Sequence, residues 1–378
     1  MDNKTITVLQ VLPNLISGGV ERGAIDIAIA LKEEGFESLV ASNGGPLVKL
    51  LDRHGIKHIK MSLNSKNPLV IIANALKLTR IINSRKVDII HARSRAPAWS
   101  AFLAHKMTGC KFITTFHGHY SFKPFKLLKK IYNSVMTKGH KVIAVSEFIQ
   151  DHISKHYKNT ANKVTTIHRG VDLKEFCPDK VPPHRMLKLR NIIPYDARVI
   201  ITIPGRLTKW KGHKVLIEAL ALLDKNKYCC LIVGDVDKHY NYYLELSELV
   251  EKKGLQDIVI FTGNLEDMPA VYMLSDIIVT PSIDEEPFGR ISIEAQAMGR
   301  IIIASNVGGF KETVKDNETG FLVPPKDSKA LSEAITYVTN LTEHRKYKIM
   351  QAAQKNAELF SLKKMKNKTL SIYKELVG

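Results

Sequence analysis

Short apolar and β-branched runs alternate along the chain with longer stretches in which apolar residues recur every three or four positions. The short runs predict strands and the longer stretches predict amphipathic helices. The clearest predicted helix spans 19–34 and ends at Gly35. Its apolar face consists of Val20, Ala24, Ile27, Ala28 and Leu31. In the first half of the chain, the predicted strands are 5–12, 38–42, 58–61, 88–91, 111–115, 141–145 and 164–167.

A proline-rich, basic stretch over 178–194 interrupts this alternation, and we place a linker there. A second series follows, with predicted strands at 199–203, 229–233, 258–261, 276–280, 301–304 and 321–323. Predicted helices at 328–340, 343–360 and 362–376 close the chain.

Strands alternating with helices predict an α/β fold of two doubly wound, Rossmann-like domains facing a central cleft. We place the domains at 1–185 and 186–360, and expect the terminal helix, 361–378, to pack back on the first domain. In such domains ligands meet the carboxyl ends of the strands.

The charge is distributed unevenly. The net charge is +19, of which residues 1–200 carry +18 and residues 51–150 alone carry +15. A field of this strength favours a polyanion or an anionic membrane surface as partner, although a lysine-rich proteome is an alternative origin.

No apolar run reaches the roughly 18 residues that a membrane span requires. The start of the chain is typical of a strand rather than a signal peptide, so we expect a cytoplasmic protein. The cysteines lack metal or redox spacing and are expected to be buried thiols: Cys110, Cys177, Cys229 and Cys230.

Two carboxylates, Glu286 and Glu294, follow the predicted strand at 276–280 and bracket a glycine that is expected to open a helix. A carboxylate accepts hydrogen bonds from vicinal hydroxyls, so one glutamate could hold a sugar and the other a ribose. The backbone N–H groups of Phe288 and Gly289 lie near the first carboxylate in this arrangement. An acidic loop followed by a solvated glutamate is the alternative.

A basic loop begins at Gly205 after the predicted strand at 199–203, and Arg206 and Lys211 flank it. Two cations beside a helix N-terminus suit a diphosphate, because guanidinium and ammonium groups both bind phosphate oxygens. The alternative is a basic surface loop.

In the first half, Gly18 and Gly19 follow the first strand and allow the backbone to approach a phosphate or an acceptor closely. Neither a dinucleotide-binding fingerprint nor a P-loop is present. His117 and His119 lie in a loop after the strand at 111–115. Without nearby Asp or Cys ligands they make a poor metal site, and contacts to a substrate are expected instead.

Taken together and in order, these residues resemble the family 4 glycosyltransferases, retaining enzymes of the GT-B architecture, over essentially the whole chain. The matching segments are Gly18-Gly19, the His117 loop, 145–147, 169–172, Gly205-Arg206 with Lys211-Gly212, Glu286 with Glu294, 297–299, 307–309 with Glu312, and 320–324. The sequence departs from the family at His168-Arg169, where many members have Pro-Asn.

The resemblance implies a role for each matched residue. Arg206 and Lys211 would stabilise the leaving diphosphate. Glu294 would hold the ribose, and Glu286 would hold the donor sugar with help from the N–H groups of Phe288 and Gly289. His117 would lie near the transferred sugar. Gly18 and Gly19 would let the acceptor approach the donor phosphate, and Gly205 belongs to the donor-binding loop. The family usually needs no metal and no cofactor beyond its nucleotide-sugar substrate, here UDP-, GDP- or ADP-linked.

The function expected from the resemblance is transfer of a sugar to a hydroxyl of a cell-envelope glycan or lipid precursor, with lipopolysaccharide core as one example. A nucleotide-sugar epimerase or a glycan phosphorylase is the alternative within the architecture. A basic nucleic-acid-binding protein is a distant one, because no stacking motif or helix-turn-helix accompanies the charge. Segment 122–132 mixes apolar residues with four lysines, which predicts peripheral binding to the cytoplasmic face of an anionic inner membrane.

Overall fold

The computed structural model describes residues 5–16, 18–120, 126–189 and 198–378, without the side chain of Lys126. The chain divides into two compact units, 1–169 together with 363–378, and 170–362.

The first unit contains a seven-stranded parallel sheet with the order β3-β2-β1-β4-β5-β6-β7. Its strands are β1 (Thr7–Val11), β2 (Glu37–Ser42), β3 (Lys57–Lys60), β4 (Ile89–Ala92), β5 (Lys111–Phe116), β6 (Lys141–Ala144) and β7 (Val164–Thr166). Its helices are α1 (Gly19–Glu33), α2 (Val48–Arg53), α3 (Pro68–Arg85), α4 (Arg95–Thr108), α5 (Lys126–Ser134) and α6 (Glu147–His156). The five inner strands are largely apolar and buried on both faces, as is typical of parallel sheets, whereas the edge strands β3 and β7 are partly exposed.

The second unit contains a six-stranded parallel sheet with the order β10-β9-β8-β11-β12-β13. Its strands are β8 (Val199–Pro204), β9 (Tyr228–Val233), β10 (Val259–Gly263), β11 (Ile277–Thr280), β12 (Ile301–Ser305) and β13 (Phe321–Val323). Its helices are α7 (Pro183–Leu187), α8 (His213–Leu220), α9 (Tyr240–Lys252), α10 (Met268–Leu274), α11 (Arg290–Ala297), α12 (Phe310–Thr313), α13 (Ser328–Thr339) and α14 (Glu343–Leu359). The two sheets give the predicted pair of doubly wound units.

The first unit ends at Arg169, whereas the sequence places its end at residue 185. The reason is hydrogen bonding within the second unit. The Val171 N–H donates to the Phe360 carbonyl at 2.9 Å, and the Leu362 N–H donates to the Val171 carbonyl at 2.8 Å. Farther along, the Arg185 Nε donates to the Asp267 carboxylate at 2.8 Å. Segment 170–189 is therefore part of the second unit.

The last helix, α15 (Leu362–Val377), belongs to the first unit from Lys363 onward. Lys374 forms an ion pair with Glu34 at 2.9 Å, and Lys141 forms one with Glu375 at 2.7 Å. Tyr373 is fully buried in this unit. Within the described residues, no helix is both long enough and apolar enough to span a bilayer.

Candidate active site

Each sheet reverses its strand order once, between β1 and β4 in the first unit and between β8 and β11 in the second. In open parallel sheets the crevice beyond the carboxyl ends of the strands at such a reversal is where ligands bind. In the second unit, the loop 205–212 follows β8 and the loop 281–289 follows β11. The two motifs singled out in this half of the sequence therefore come from neighbouring strands at the reversal.

Lys211 and Glu286 meet at this point of the second unit. The Lys211 Nζ lies 2.7 Å from the Glu286 Oε2, and their side chains are only 13% and 11% exposed. The ammonium group also lies 4.2 Å from the centre of the Trp210 ring, a favourable cation–π distance. The pair brings together one residue from each of the two motifs that the sequence analysis singled out in this half of the chain.

Backbone contacts hold the two loops together. The Ile283 N–H donates to the Trp210 carbonyl at 2.8 Å. Gly212 has a φ of +77°, and a Cβ there would lie 1.8 Å from the Pro281 carbonyl oxygen. Only glycine fits this approach, because the clash would be with backbone rather than with a movable side chain. Gly212 therefore fixes the spacing of the loops that carry Lys211 and Glu286.

The Arg206 side chain is exposed and, in the part of the chain that the structure describes, has no hydrogen-bond or ion-pair partner. Gly205 before it adopts a φ of +137° and donates its N–H to the Val233 carbonyl at 2.9 Å. The structure thus places an unpaired cation in the same loop as Lys211, at the carboxyl end of β8.

A third loop supports the backbone around Glu286. The Gly309 N–H donates to the Glu286 carbonyl at 2.7 Å, and Phe288 is buried. Gly289 precedes α11 with a φ of +89°, and its N–H has no acceptor among the described residues. An N–H of this kind at the start of a helix is available to an anion or a sugar oxygen.

Glu294 lies on α11 and is held by two residues that the sequence analysis missed. The Tyr272 hydroxyl donates to its Oε2 at 2.9 Å, and the Arg290 Nη2 donates to its Oε1 at 2.7 Å. Burial, followed by the Glu294 charge, raises the pKa of Tyr272 well above its ordinary value, so the phenol stays a donor. Arg290 was detectable as an i,i+4 partner on a predicted helix. Tyr272 carried no such signal, since it lies 22 residues away in sequence.

The remaining predicted residues belong to the first unit. Gly18 precedes α1 with a φ of +124°, and Gly19 is the first residue of that helix. His117 follows β5, and neither ring nitrogen has a hydrogen-bond partner among the described residues. Burial, followed by the charges of Arg169 and Arg93, lowers the pKa of His117 well below its ordinary value. The imidazole is therefore neutral at pH 7, with one N–H donor and one free acceptor.

The histidines of the first unit form no metal site within residues 5–16, 18–120 and 126–169. The search of the described residues finds no group of three or more His, Cys, Asp or Glu side chains that could hold a metal. The rings of His119 and His152 lie 4.4 Å apart, and those of His152 and His156 lie 4.7 Å apart. Burial lowers the pKa of His152 to about 4. All four cysteines are free, and Cys177 is the one that is only partly buried.

Two family models match the chain. The model described as Glycosyltransferase Family 4 matches residues 17–175, and the model described as Glycosyl transferases group 1 matches residues 188–355. A glycosyltransferase from Rickettsia africae ESF-5, whose crystal structure is known, is 44% identical over 99% of both chains, with a TM-score of 0.91.

More distant proteins are similar as well. Anabaena Alr3699/HepE in complex with UDP and glucose is 23% identical, with a TM-score of 0.86, over 98% of this chain and 99% of that one. This likeness shows the fold alone. A glycosyltransferase of Methanocaldococcus jannaschii is 29% identical over 63% of this chain, and the match spans 61% of that protein's length, less than two thirds.

Proposed function

The chain belongs to the family 4 glycosyltransferases of the GT-B architecture, and from that premise we propose that it transfers a sugar from a nucleotide sugar to an acceptor hydroxyl with retention of configuration and without a metal ion. The observation that carries the proposal is the contact of Glu286 with Lys211, which lies in the same loop as Arg206. This arrangement offers two cations to a diphosphate and one carboxylate to sugar hydroxyls.

Departure of the nucleotide diphosphate places negative charge on its terminal phosphate. The Arg206 guanidinium, exposed and without a partner among the described residues, can bind the phosphate oxygens with two N–H groups. Lys211 has three N–H donors and uses one of them for Glu286, so it can add a bond to phosphate without leaving the pair. Interactions that strengthen as charge develops are the ones that accelerate the step.

The two glutamates would position the donor. Glu286 accepts hydrogen bonds from hydroxyls of the transferred sugar, and the Gly289 N–H donates to the same sugar. Glu294, oriented by Tyr272 and Arg290, accepts from the ribose. The complex of the Anabaena neighbour with UDP and glucose supports a UDP-sugar as the first donor to test.

In our proposal, the acceptor hydroxyl attacks the anomeric carbon from the same face that the leaving phosphate vacates, so the configuration is retained. A phosphate oxygen takes the proton of the acceptor hydroxyl. The attacking oxygen bonds to the anomeric carbon as the bond to phosphate breaks. Lys211 and Arg206 stabilise the departing charge in place of a metal.

Donor hydrolysis across UDP-, GDP- and ADP-sugars tests the proposal, with and without excess chelator. We expect one nucleotide series to be hydrolysed at an unchanged rate in chelator, and NMR of the released or transferred sugar to show a retained anomer. No hydrolysis of any series, or a rate abolished by chelator and restored by a divalent ion, would contradict it.

For the acceptor, we propose a cell-envelope glycan or lipid precursor, such as lipopolysaccharide core, presented at an anionic membrane surface. Helix α5 exposes three large apolar side chains beside Lys129 and Lys130: Leu127 (71%), Leu128 (68%) and Ile131 (53%). Residues 122–125 of the predicted membrane segment lie outside the described residues.

A second helix supports the same surface. Helix α3 exposes Leu69, Ile72 and Leu76 at helical spacing. Both helices pack on α4: the Trp99 Nε1 donates to a carbonyl of α5 at 3.0 Å, and the Ser100 Oγ donates to a carbonyl of α3 at 3.1 Å. From residue 53 to residue 146, Asp88 is the single acidic residue in the sequence. Apolar side chains on a basic background fit an anionic leaflet.

Liposome sedimentation tests the membrane proposal. We expect binding to anionic vesicles that weakens with salt and is abolished by charge reversal at Lys123, Lys126, Lys129 and Lys130, while donor hydrolysis persists. The matched control reverses four exposed lysines of the second unit: Lys252, Lys253, Lys311 and Lys329. Equal binding to neutral and anionic vesicles, or no binding at low salt, would overturn the proposal.

A further inference from the structure

The first unit contains a small cavity among polar side chains, separate from the loops of the second unit. Its volume is about 20 Å³, which holds a single water molecule. Arg93 and His117, which follow β4 and β5, both line it. The cavity therefore adjoins the histidine that the resemblance places near the transferred sugar. The full polar lining consists of His91, Arg93, Thr115, His117, Arg169 and Thr369.

The Arg93 guanidinium is held on two sides but has one donor left over. The side chain is only 4% exposed. Its Nε donates to the Gln10 Oε1 at 2.6 Å, and the guanidinium also donates to the Tyr373 hydroxyl oxygen. Its Nη2 is buried without a partner among the described residues. Because a buried donor without an acceptor is costly, the Nη2 requires an acceptor in the cavity that Arg93 lines.

The directions of the hydrogen bonds around His91 follow from Arg93. A guanidinium only donates, so the Tyr373 oxygen accepts from it, and the Tyr373 hydrogen goes to the His91 Nδ1, 2.6 Å away. Burial, with Arg93 as the second cause, lowers the pKa of His91 well below its ordinary value. The ring is therefore neutral and carries its one hydrogen on Nε2, which donates to the Thr115 Oγ1 at 2.7 Å. The Thr115 hydroxyl keeps its own hydrogen to donate elsewhere.

Four groups on the cavity lining match the two donors and two acceptors that one water molecule needs. The Arg93 Nη2 and the Thr115 hydroxyl have hydrogens to donate. The Thr369 Oγ1 donates its hydrogen to the carbonyl four residues earlier at 2.8 Å, so it can only accept from the cavity. Neither ring nitrogen of His117 has a partner in the part of the chain that the structure describes. Because burial lowers the pKa of His117 well below its ordinary value, the ring is neutral and has one bare nitrogen that accepts.

We propose that one water molecule is bound in this cavity and fixes the tautomer of His117, with Arg93 as the positioning residue. The water accepts from the Arg93 Nη2 and from the Thr115 hydroxyl. Its two hydrogens go to the Thr369 Oγ1 and to a ring nitrogen of His117. Because that nitrogen accepts, the hydrogen of the ring is on the other one. Arg169 has a partner elsewhere, and none of its donors is required.

The use of the fixed tautomer in sugar transfer rests on the proposed function, whereas the water and the tautomer themselves do not. With His117 beside the transferred sugar, its N–H would donate to a sugar oxygen. A ring whose tautomer is fixed before the donor binds has less ordering left to lose on binding. Arg93 would thereby act on the donor through the water and His117, without touching a reactant.

Nitrogen NMR of the His117 ring in the ligand-free full chain tests the tautomer. We expect one tautomer to exceed the other about tenfold, the ratio that a hydrogen bond of about 1.4 kcal/mol sustains. Arg93→Gln and Thr115→Val each remove a donor to the water and should lower the ratio at least about threefold. Thr115→Ser keeps the hydroxyl and is the matched control at that position. Arg80→Gln, at an exposed arginine on α3, is the matched control for Arg93, and neither control should change the ratio as much as about twofold.

Equal populations of the two tautomers in the unsubstituted chain, or a ratio that Arg93→Gln and Thr115→Val leave unchanged, would overturn the proposal. If Arg93→Gln fails to fold by circular dichroism, Thr115→Val decides, because valine has nearly the shape of threonine. A high-resolution crystal structure tests the water directly. We expect a water oxygen within about 3.2 Å of the Arg93 Nη2 and of one His117 ring nitrogen, and a dry cavity would overturn the proposal.

Donor hydrolysis then tests the positioning role. Arg93→Gln should lower turnover about tenfold in the otherwise unsubstituted chain, but less than about twofold in a chain that already carries His117→Ala, because Arg93 acts through His117. Equal losses in the two backgrounds would contradict this role. A chain that holds the water and the fixed tautomer but hydrolyses no nucleotide sugar would refute the proposed function alone.

Discussion

Replacing Lys211 by methionine separates the structural role of this residue from its proposed catalytic role. The substitution keeps the length of the side chain and leaves Glu286 without the ammonium group that lies 2.7 Å from it. Among the described residues, the side-chain donor that remains beside that carboxylate oxygen is the Ser282 Oγ, at 3.5 Å. Breaking a fully buried pair costs about 3–5 kcal/mol, and an exposed pair contributes about 0–1 kcal/mol. With both side chains slightly exposed, we expect a loss of about 2 kcal/mol in the free energy of unfolding.

Adding Glu286→Gln to Lys211→Met should restore about 1 kcal/mol of that stability, because no uncompensated buried charge remains. Turnover should respond differently. Loss of one group that stabilises developing charge costs about 3–4 kcal/mol of activation free energy, or a factor of about 10²–10³. The double variant also lacks the carboxylate for the donor sugar, so its turnover should stay at least as low as that of Lys211→Met.

Urea unfolding gives the stabilities, and initial rates of donor hydrolysis give the activities. Lys209→Met is the matched control, since Lys209 lies in the same loop, is 70% exposed and pairs with Glu245 at 3.1 Å. It should change stability by less than about 1 kcal/mol and leave turnover near normal. Unchanged stability and turnover in Lys211→Met, or recovery of turnover in the double variant, would refute the reasoning.

Three further predictions concern buried hydrogen bonds and titration. Tyr272→Phe removes the hydroxyl that donates to Glu294 at 2.9 Å. Steady-state kinetics should then show a several-fold higher KM for the donor and a nearly unchanged kcat. A fall in kcat as large as the expected rise in KM would contradict this. Tyr373→Phe removes one partner of the buried His91 and should lower the free energy of unfolding by about 1–3 kcal/mol in urea titrations; an unchanged midpoint would refute it. Burial and the Lys211 charge lower the pKa of His213 to about 4, below the unfolded value of 6.5. As the pH falls, the unfolded chain therefore binds this proton before the folded chain does. The free energy of unfolding should decrease by up to about 1.4 kcal/mol for each pH unit as the pH falls from 6.5 to 4. His213→Gln should flatten that slope, and an unchanged slope would contradict the assignment.

The local pattern of the sequence determined most of the elements of this protein. The predicted strands at 229–233 and 301–304 are within one residue of the observed ones at each end, and the predicted helix 19–34 is α1 with one residue more. Their success has a physical reason, since parallel strands buried on both faces need continuous apolar runs. The glycine-containing loops could also be located, because a chain that leaves a strand for a helix needs turn residues there. Placing Glu286 and Lys211 each after a strand required only the alternation of elements, whereas the order of the sheet made those two strands neighbours.

Partner choice and boundaries were decided by the tertiary structure. Lys211 and Glu286 are 75 residues apart, and no periodicity in the sequence indicates that the lysine donates a hydrogen bond to the glutamate. Nothing in the sequence distinguishes Tyr272 and Tyr373 from other aromatic residues, yet each hydroxyl contacts a polar residue brought to it by packing of distant elements. The proline-rich composition suggested a later boundary, but the first unit ends at Arg169. The reason is that Val171 forms backbone hydrogen bonds with Phe360 and Leu362, just after α14. Local sequence sets backbone preferences over a few residues, whereas the satisfaction of a buried polar group depends on which distant residues the folded sheets bring beside it.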